Sequence, residues 1–310
     1  MKKASLAARE RPALAGGPVG GGLFRLQGTP GPCREPEPGP ATGQTGAPSA
    51  LGAAGETLVC SMGDLRGETA LRLGVAQMFI ADTLQANQRK ILQMAREAAR
   101  RGVELLVFPE MSLTGYNPAT IGAPGFRAEL DGALAKIAGY SARLGMGLVV
   151  GRAALAGEKL FNAASVFLPD GSVHTYYKIH LTALEEKYFS PGDSPLIFTY
   201  KGFTVGIMIC RDQNYPELAR SLKQGGAEAL LILSAHYYPP AEARWKIDKN
   251  RALPIARAVE NNCYVFLANA VGSHIGMVSL GNSLIADPHG VVVASADEST
   301  EGILTCDIGR

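Results

Sequence analysis

The chain has 310 residues, 46% of them apolar and 19% charged, and a formal net charge of +2 at pH 7. Such a length and apolar content can bury a large core and exclude wholesale disorder, while the near-neutral balance excludes polybasic contact with nucleic acid or a membrane surface. No apolar run approaches the ~20 residues that cross a bilayer, and the five cysteines are odd in number, scattered and without metal-ligand spacing, which predicts free thiols in a reducing, cytoplasmic compartment.

Residues 1–70 differ in composition from the rest. Segments such as Gly16–Gly22 and Thr29–Pro40 are dominated by Gly and Pro and cannot bury enough surface to offset their ordering entropy, so this leader is expected to be disordered. Its basic start has no apolar core of a secretory signal, and Met62 is an alternative start. From Leu71 the pattern becomes that of a layered α/β domain running to Arg310. Leu71–Met78 reads as a first strand. Asp82 is placed to cap a helix with Leu84, Ile91, Ala95 and Ala98 at helical spacing and Gly102 just past its end. Val103–Glu110 is a second apolar strand, ending in a carboxylate. The loop from Met111 to Phe126 is long enough to be functional, and a second amphipathic helix carries Leu130, Leu134, Ile137 and Leu144 before Gly145. Met146–Val150 is a further strand. Asn162–Leu168, the Pro169-Asp170-Gly171 turn and Ser172–Lys178 then form a hairpin that ends in an ammonium group.

Phe203–Ile209 is a buried strand that stops at Cys210. A polar turn and a helix from Pro216 to Gln224 follow, Pro216 standing where its missing N–H has no consequence. Ala229–Ser234 is the next core strand, with His236, Tyr237 and Tyr238 after it. Trp245–Asn262 reads as a long helix, charged on one side, with Ile247, Leu253, Ile255 and Val259 as its apolar positions. Cys263–Asn269 and the Asn282–Ala294 hairpin close the sheet system. No internal repeat and no second folded domain are visible.

A cysteine beside Ile207, Met208 and Ile209 is by itself either an inert core residue or a nucleophile held rigidly at a strand end. Three strands ending in Glu110, Lys178 and Cys210 can set base, cation and nucleophile around one cleft. The segments Phe108–Tyr116, Tyr177–Leu181 and Ile209–Glu217, in that order, resemble the nitrilase superfamily of carbon-nitrogen hydrolases and its Glu-Lys-Cys triad. The resemblance covers about Leu71 to Arg310 and implies a four-layer α-β-β-α sandwich forming a single catalytic domain. It implies Glu110 as base, Cys210 as nucleophile and Lys178 as the cation that lowers the thiol pKa and stabilises the oxyanion with the Arg211 backbone N–H. A supporting glutamate, counted back from Phe189-Ser190-Pro191-Gly192-Asp193, falls on Glu185 rather than Glu186. The connection after Lys178 is short, which predicts a more open or differently shaped mouth to the site.

Arg211-Asp212 stands where true nitrilases tend to have Trp-Glu, so an amide or N-carbamoyl substrate is expected ahead of a nitrile, and a catalytically silent self-associating scaffold is the alternative of another class. Arg211 either pairs with a substrate carboxylate or makes a structural salt bridge. Tyr116, His236 and Tyr237 are the other substrate-binding candidates, each equally readable as core. A papain-like pairing of Cys210 with His180 or His236 is the rival constellation. No metal cluster spacing and no phosphate loop are found, so chemistry without a cofactor is expected, on a small molecule and not on nucleic acid or a membrane. Members of the superfamily usually pair through a helical face, which implies a homodimer or larger homo-oligomer.

Overall fold

The computed structural model of the protein describes residues 70–309. The leader and the Met62 start therefore lie outside the described residues, and the first strand begins at Ala70. In chain order the elements are β1 (Ala70–Gln77), α1 (Leu84–Arg100), β2 (Leu105–Val107), α2 (Pro118–Ile121), α3 (Phe126–Leu144), β3 (Gly147–Ala156), β4 (Lys159–Phe167) and β5 (Val173–Tyr177). They continue as β6 (Ile197–Tyr200), β7 (Phe203–Ile209), α4 (Pro216–Gln224), β8 (Ala229–Ser234), α5 (Pro240–Ala243), α6 (Ile247–Asn261) and β9 (Tyr264–Asn269). The last are β10 (Val271–His274), β11 (Met277–Leu280), β12 (Leu284–Ala286), β13 (Val292–Ser295) and β14 (Gly302–Gly309).

Two six-stranded sheets result, ordered β14-β1-β2-β3-β4-β5 and β13-β12-β9-β8-β7-β6. Each has parallel strands at its centre, β1-β2-β3 and β7-β8-β9, and antiparallel pairs at its edges. Alternation of side chains along a strand explains the layering. Leu73, Val75, Leu105 and Val107 of one sheet meet Val205, Ile207, Leu231 and Phe266 of the other in a central core. The opposite face of the first sheet packs Leu106, Leu148 and Val150 against Ile91, Ala95, Leu130 and Ile137 of α1 and α3. Met208, Leu230 and Ile232 likewise pack against Leu218 and Leu222 of α4 and Ala258 of α6. The architecture is thus the four-layer α-β-β-α sandwich.

Three local readings need correction. The N-cap of α1 is Thr83, whose hydroxyl accepts from Ala86 N–H; Asp82 instead faces His274, with Oδ1 3.3 Å from Nδ1. In α6 the buried face is Asn250, Pro254, Arg257, Ala258 and Asn261, while Val259 is exposed and Trp245 lies outside the helix and is 70% exposed. That face is polar because it holds other elements: Asn250 accepts from the Tyr238 hydroxyl at 3.0 Å and Arg257 Nε donates to Gln213 O at 2.9 Å. The β10–β11 hairpin is absent from the sequence reading. Its turn sits on Ile275 and Gly276, both at positive φ, and an isoleucine there carries none of the usual Asn-Gly signal.

Candidate active site

Glu110, Lys178 and Cys210 each follow the end of a strand, β2, β5 and β7, and meet between the two sheets. The backbone around each is constrained. Gly151 of β3 passes so close to the Glu110 turn that a Cβ there would lie 2.4 Å from Pro109 O and 2.8 Å from Glu110 Cα. Gly192 is wedged similarly against Tyr177 O, at 2.2 Å, and its N–H donates to Lys178 O. Cys210 itself has φ of +45°, in the left-handed region that disfavours residues with a Cβ. Asp212 pins this turn. Its Oδ2 accepts from Ile209 N–H and the Tyr176 hydroxyl, and its Oδ1 accepts from His180 N–H, at 2.7–2.9 Å.

Lys178 is buried, with Nζ 2.6 Å from Glu110 Oε1 and 2.7 Å from Glu185 Oε1. Asn162 of β4 bridges the two carboxylates, its amide donating to Glu110 at 2.7 Å and to Glu185 at 2.9 Å. Glu110 Oε2 accepts from Ala235 N–H at 3.0 Å, and Tyr116 lines the same cavity. Glu185 also accepts from Thr182 N–H, whereas Glu186 is exposed.

One ammonium between two carboxylates divides their acidities. Burial, with repulsion from Glu185, holds Glu110 above the usual carboxylate range despite the opposing pull of Lys178. For Glu185 burial pushes the same way but is outweighed by Lys178, by Thr182 N–H and by Asn162, so it stays below that range. Lys178 is pushed up: desolvation opposes its charge, and Glu110, Cys210 and Glu185 overcome it. Burial and the Glu110 carboxylate also raise the Cys210 thiol, and Lys178 only partly offsets them. Lys178 thus lowers the thiol pKa as expected, but burial and Glu110 outweigh it, and the sulfur is a thiol at neutral pH that ionises only when its proton is taken. Alkylation of Cys210 by iodoacetamide should accordingly be slow at neutral pH and climb through the alkaline range; fast labelling that is flat across neutral pH would show a preformed thiolate instead.

The residues expected from sequence line one cavity of about 800 Å³: Glu110, Tyr116, Lys178, Glu185, Cys210, Arg211, His236 and Tyr237. Neither histidine pairs with the thiol. His180 stacks on Tyr215 at 3.6 Å with Nδ1 2.9 Å from Asp212, and His236 Nε2 lies 3.0 Å from the Gln213 amide nitrogen. Burial, with the charges of Lys249 and Lys178, depresses His236 to about 3, so its ring is neutral. Sequence reasoning missed Asn162, the Ala235 N–H, and Lys246 and Lys249, which also line the cavity. Asn162 offered one signal, a polar residue opening an otherwise apolar strand; the lysines read as the solvated side of a helix.

Residues 72–310 match the carbon-nitrogen hydrolase family. The chain belongs to that family. This hydrolase is 34% identical over 232 residues to a nitrilase from Pyrococcus abyssi, covering 72% of this chain and 83% of that protein. It is 30% identical over 253 residues to omega-amidase NIT2 of Mus musculus, covering 77% and 89%. Among solved structures it superposes with a TM-score of 0.71 and 26% identity on a variant of the amidase from Nesterenkonia sp. AN1, over 80% of this chain and 93% of that one. That structure shows the acetamide moiety of fluoroacetamide added covalently at the active-site cysteine. The hydrolase is an enzyme of thiol-dependent C–N bond hydrolysis.

Proposed function

We propose that the hydrolase cleaves a small linear amide or N-carbamoyl compound, with Cys210 as nucleophile, Glu110 as base, Lys178 as electrostatic stabiliser and Glu185 as the residue that orients Lys178. The observation that carries this reading is the buried Glu110–Lys178–Glu185 cluster opening, beside Cys210, into a single cavity. The amidases among the relatives and structural neighbours support the amide. Cys210 Sγ attacks the carbonyl carbon as Glu110 takes the thiol proton, and Lys178 with the Arg211 N–H stabilises the oxyanion. The C–N bond breaks as Glu110 returns the proton to the leaving nitrogen, releasing ammonia or an amine. Glu110 then deprotonates water, which attacks the thioester to give the acid and restore the thiol. The high affinity of Glu110 for a proton suits it to both transfers. Tyr116, neutral because burial and Glu110 push its pKa well up, shapes the acyl pocket with His236 and Tyr237.

The catalytic domain is assigned to residues 71–310, and the protein to the cytoplasm as a homodimer or larger homo-oligomer. Cys210, Cys263 and Cys306 are free among the described residues, and none of the described helices is long and apolar enough to cross a membrane. The test is ammonia release by the purified full chain across ω-amides, N-carbamoyl amines, N-carbamoyl amino acids and nitriles. Turnover of amides or N-carbamoyl compounds is expected; turnover of nitriles alone would overturn the substrate class.

A further inference from the structure

The β10–β11 hairpin forms a two-stranded sheet of its own, outside both main sheets, and lends Ile275 and Met277 to the lining of the cavity. A second part of the lining, Tyr116, Pro118 and Ile121, comes from the loop after β2 and from α2. Neither segment takes part in a main sheet, so their relative placement depends on contacts of their own. His274, the last residue of β10, makes one of them and is only 3% exposed. Its Nε2 accepts from the Tyr116 N–H at 3.1 Å, and its ring centre lies 5.7 Å from that of Tyr237, which lines the cavity from the strand end after β8.

We infer that His274 is a positioning residue for substrate binding: as acceptor for the Tyr116 N–H it fastens the β10–β11 hairpin to the loop that carries Tyr116 and so sets the cavity wall that receives the acyl group. This rests on the amidase reading of the cavity and adds to it a residue that acts through the lining without belonging to it. Three arguments carry it. An accepting Nε2 requires the ring proton on Nδ1, which faces the Asp82 carboxylate at 3.3 Å; the other tautomer would set two N–H groups against each other. Burial lowers the His274 pKa and Asp82 opposes it only in part, so the ring is uncharged at neutral pH and keeps its lone pair. Room for the ring is kept by Gly115, at φ of +64°, where a Cβ would come within 3.1 Å of Nε2. The Gly115 N–H is used inside the loop, on Met111 O, whereas the next N–H, that of Tyr116, leaves the loop for a partner 158 residues away. Without that acceptor the loop samples arrangements that do not receive substrate, and bound substrate selects the competent one, so the deficit falls on KM rather than on kcat.

The test compares His274→Asn with His274→Gln. Both side chains are neutral amides, but only the longer one can place its oxygen where Nε2 stands. With whichever amide of the ammonia-release panel is turned over fastest, His274→Asn should raise KM about 10-fold and change kcat by less than about threefold, and His274→Gln should bring KM back to within about threefold of wild type. Independently of turnover, deuterium exchange of the full chain should be slow at the Tyr116 amide in wild type, about 10-fold faster in His274→Asn and slow again in His274→Gln, with the amides of β7 and β8 unaffected. Fast exchange at Tyr116 in the wild type, or one KM shared by all three proteins, would overturn the positioning role and leave the amidase reading standing. A loss in His274→Asn that spreads to β7 and β8, or that His274→Gln does not relieve, would make His274 a residue of general stability and overturn the role as well. Exchange that follows the expected pattern in a protein that hydrolyses no amide would sustain the contact and sink the amidase reading.

Discussion

Cys210→Ala should lose all measurable turnover, a fall of at least about 10⁴-fold in kcat, because every later step runs through the acyl-sulfur bond. Among the described residues no other thiol lines the cavity, and Cys263 is buried elsewhere with its pKa pushed up to about 11. The fold should survive, since the side chain lost is small and no element depends on it. A second substitution separates catalysis from conformation. At φ of +45° any residue with a Cβ is strained, so Cys210→Gly should be as inactive as Cys210→Ala yet more stable than it, by about 1 kcal/mol in urea unfolding. A glycine variant less stable than the alanine one would show that the turn is not strained. Stored strain of this kind aims the sulfur outward from a strand that would otherwise bury it, and the turn is held in place by Asp212, which ties it to Tyr176 and His180.

The layers of the fold were legible in the sequence because each relies on short-range rules. Strand-length apolar runs, helical spacing in α1 and α3, Gly145 at a left-handed C-cap and the Pro169-Asp170-Gly171 turn all act within a few residues. The triad was legible through three motifs, although only the fold shows that Glu110 and Lys178, 68 residues apart in the chain, share a 2.6 Å contact. What escaped depends on distance in space. The polar face of α6 looked solvent-facing because Asn250 and Arg257 are satisfied by Tyr238 and Gln213, partners on other elements. Asn162 was unremarkable until Glu110 and Glu185 arrived on either side of its amide. The effect of Lys178 on Cys210 was legible, but the depth of burial and the second charge beside it, which outweigh the cation, were not.

Lys178→Met should lose activity by at least about 10³-fold and, unlike Cys210→Ala, should also destabilise the protein, by about 3–5 kcal/mol at neutral pH. The ammonium is 1% exposed and its two partners are 0% and 8% exposed, so its removal leaves two carboxylates buried side by side without a counter-charge. The pH dependence identifies the cause. In the wild type the Glu185 pKa is depressed, so the stability it contributes is present above the unfolded value and is lost as pH falls through the folded one. In Lys178→Met, burial and mutual repulsion raise both carboxylates above their unfolded values. A group shifted that way stabilises fully below its unfolded pKa and loses that contribution as pH rises. The deficit relative to wild type should therefore be largest at neutral pH and shrink as pH is lowered into the carboxylate range, and adding Glu185→Gln should recover part of it at neutral pH. Urea unfolding of the three proteins at several pH values measures this. A deficit that stayed constant with pH would mean that Lys178 contributes packing rather than charge, and the electrostatic account of the cluster would fail with it.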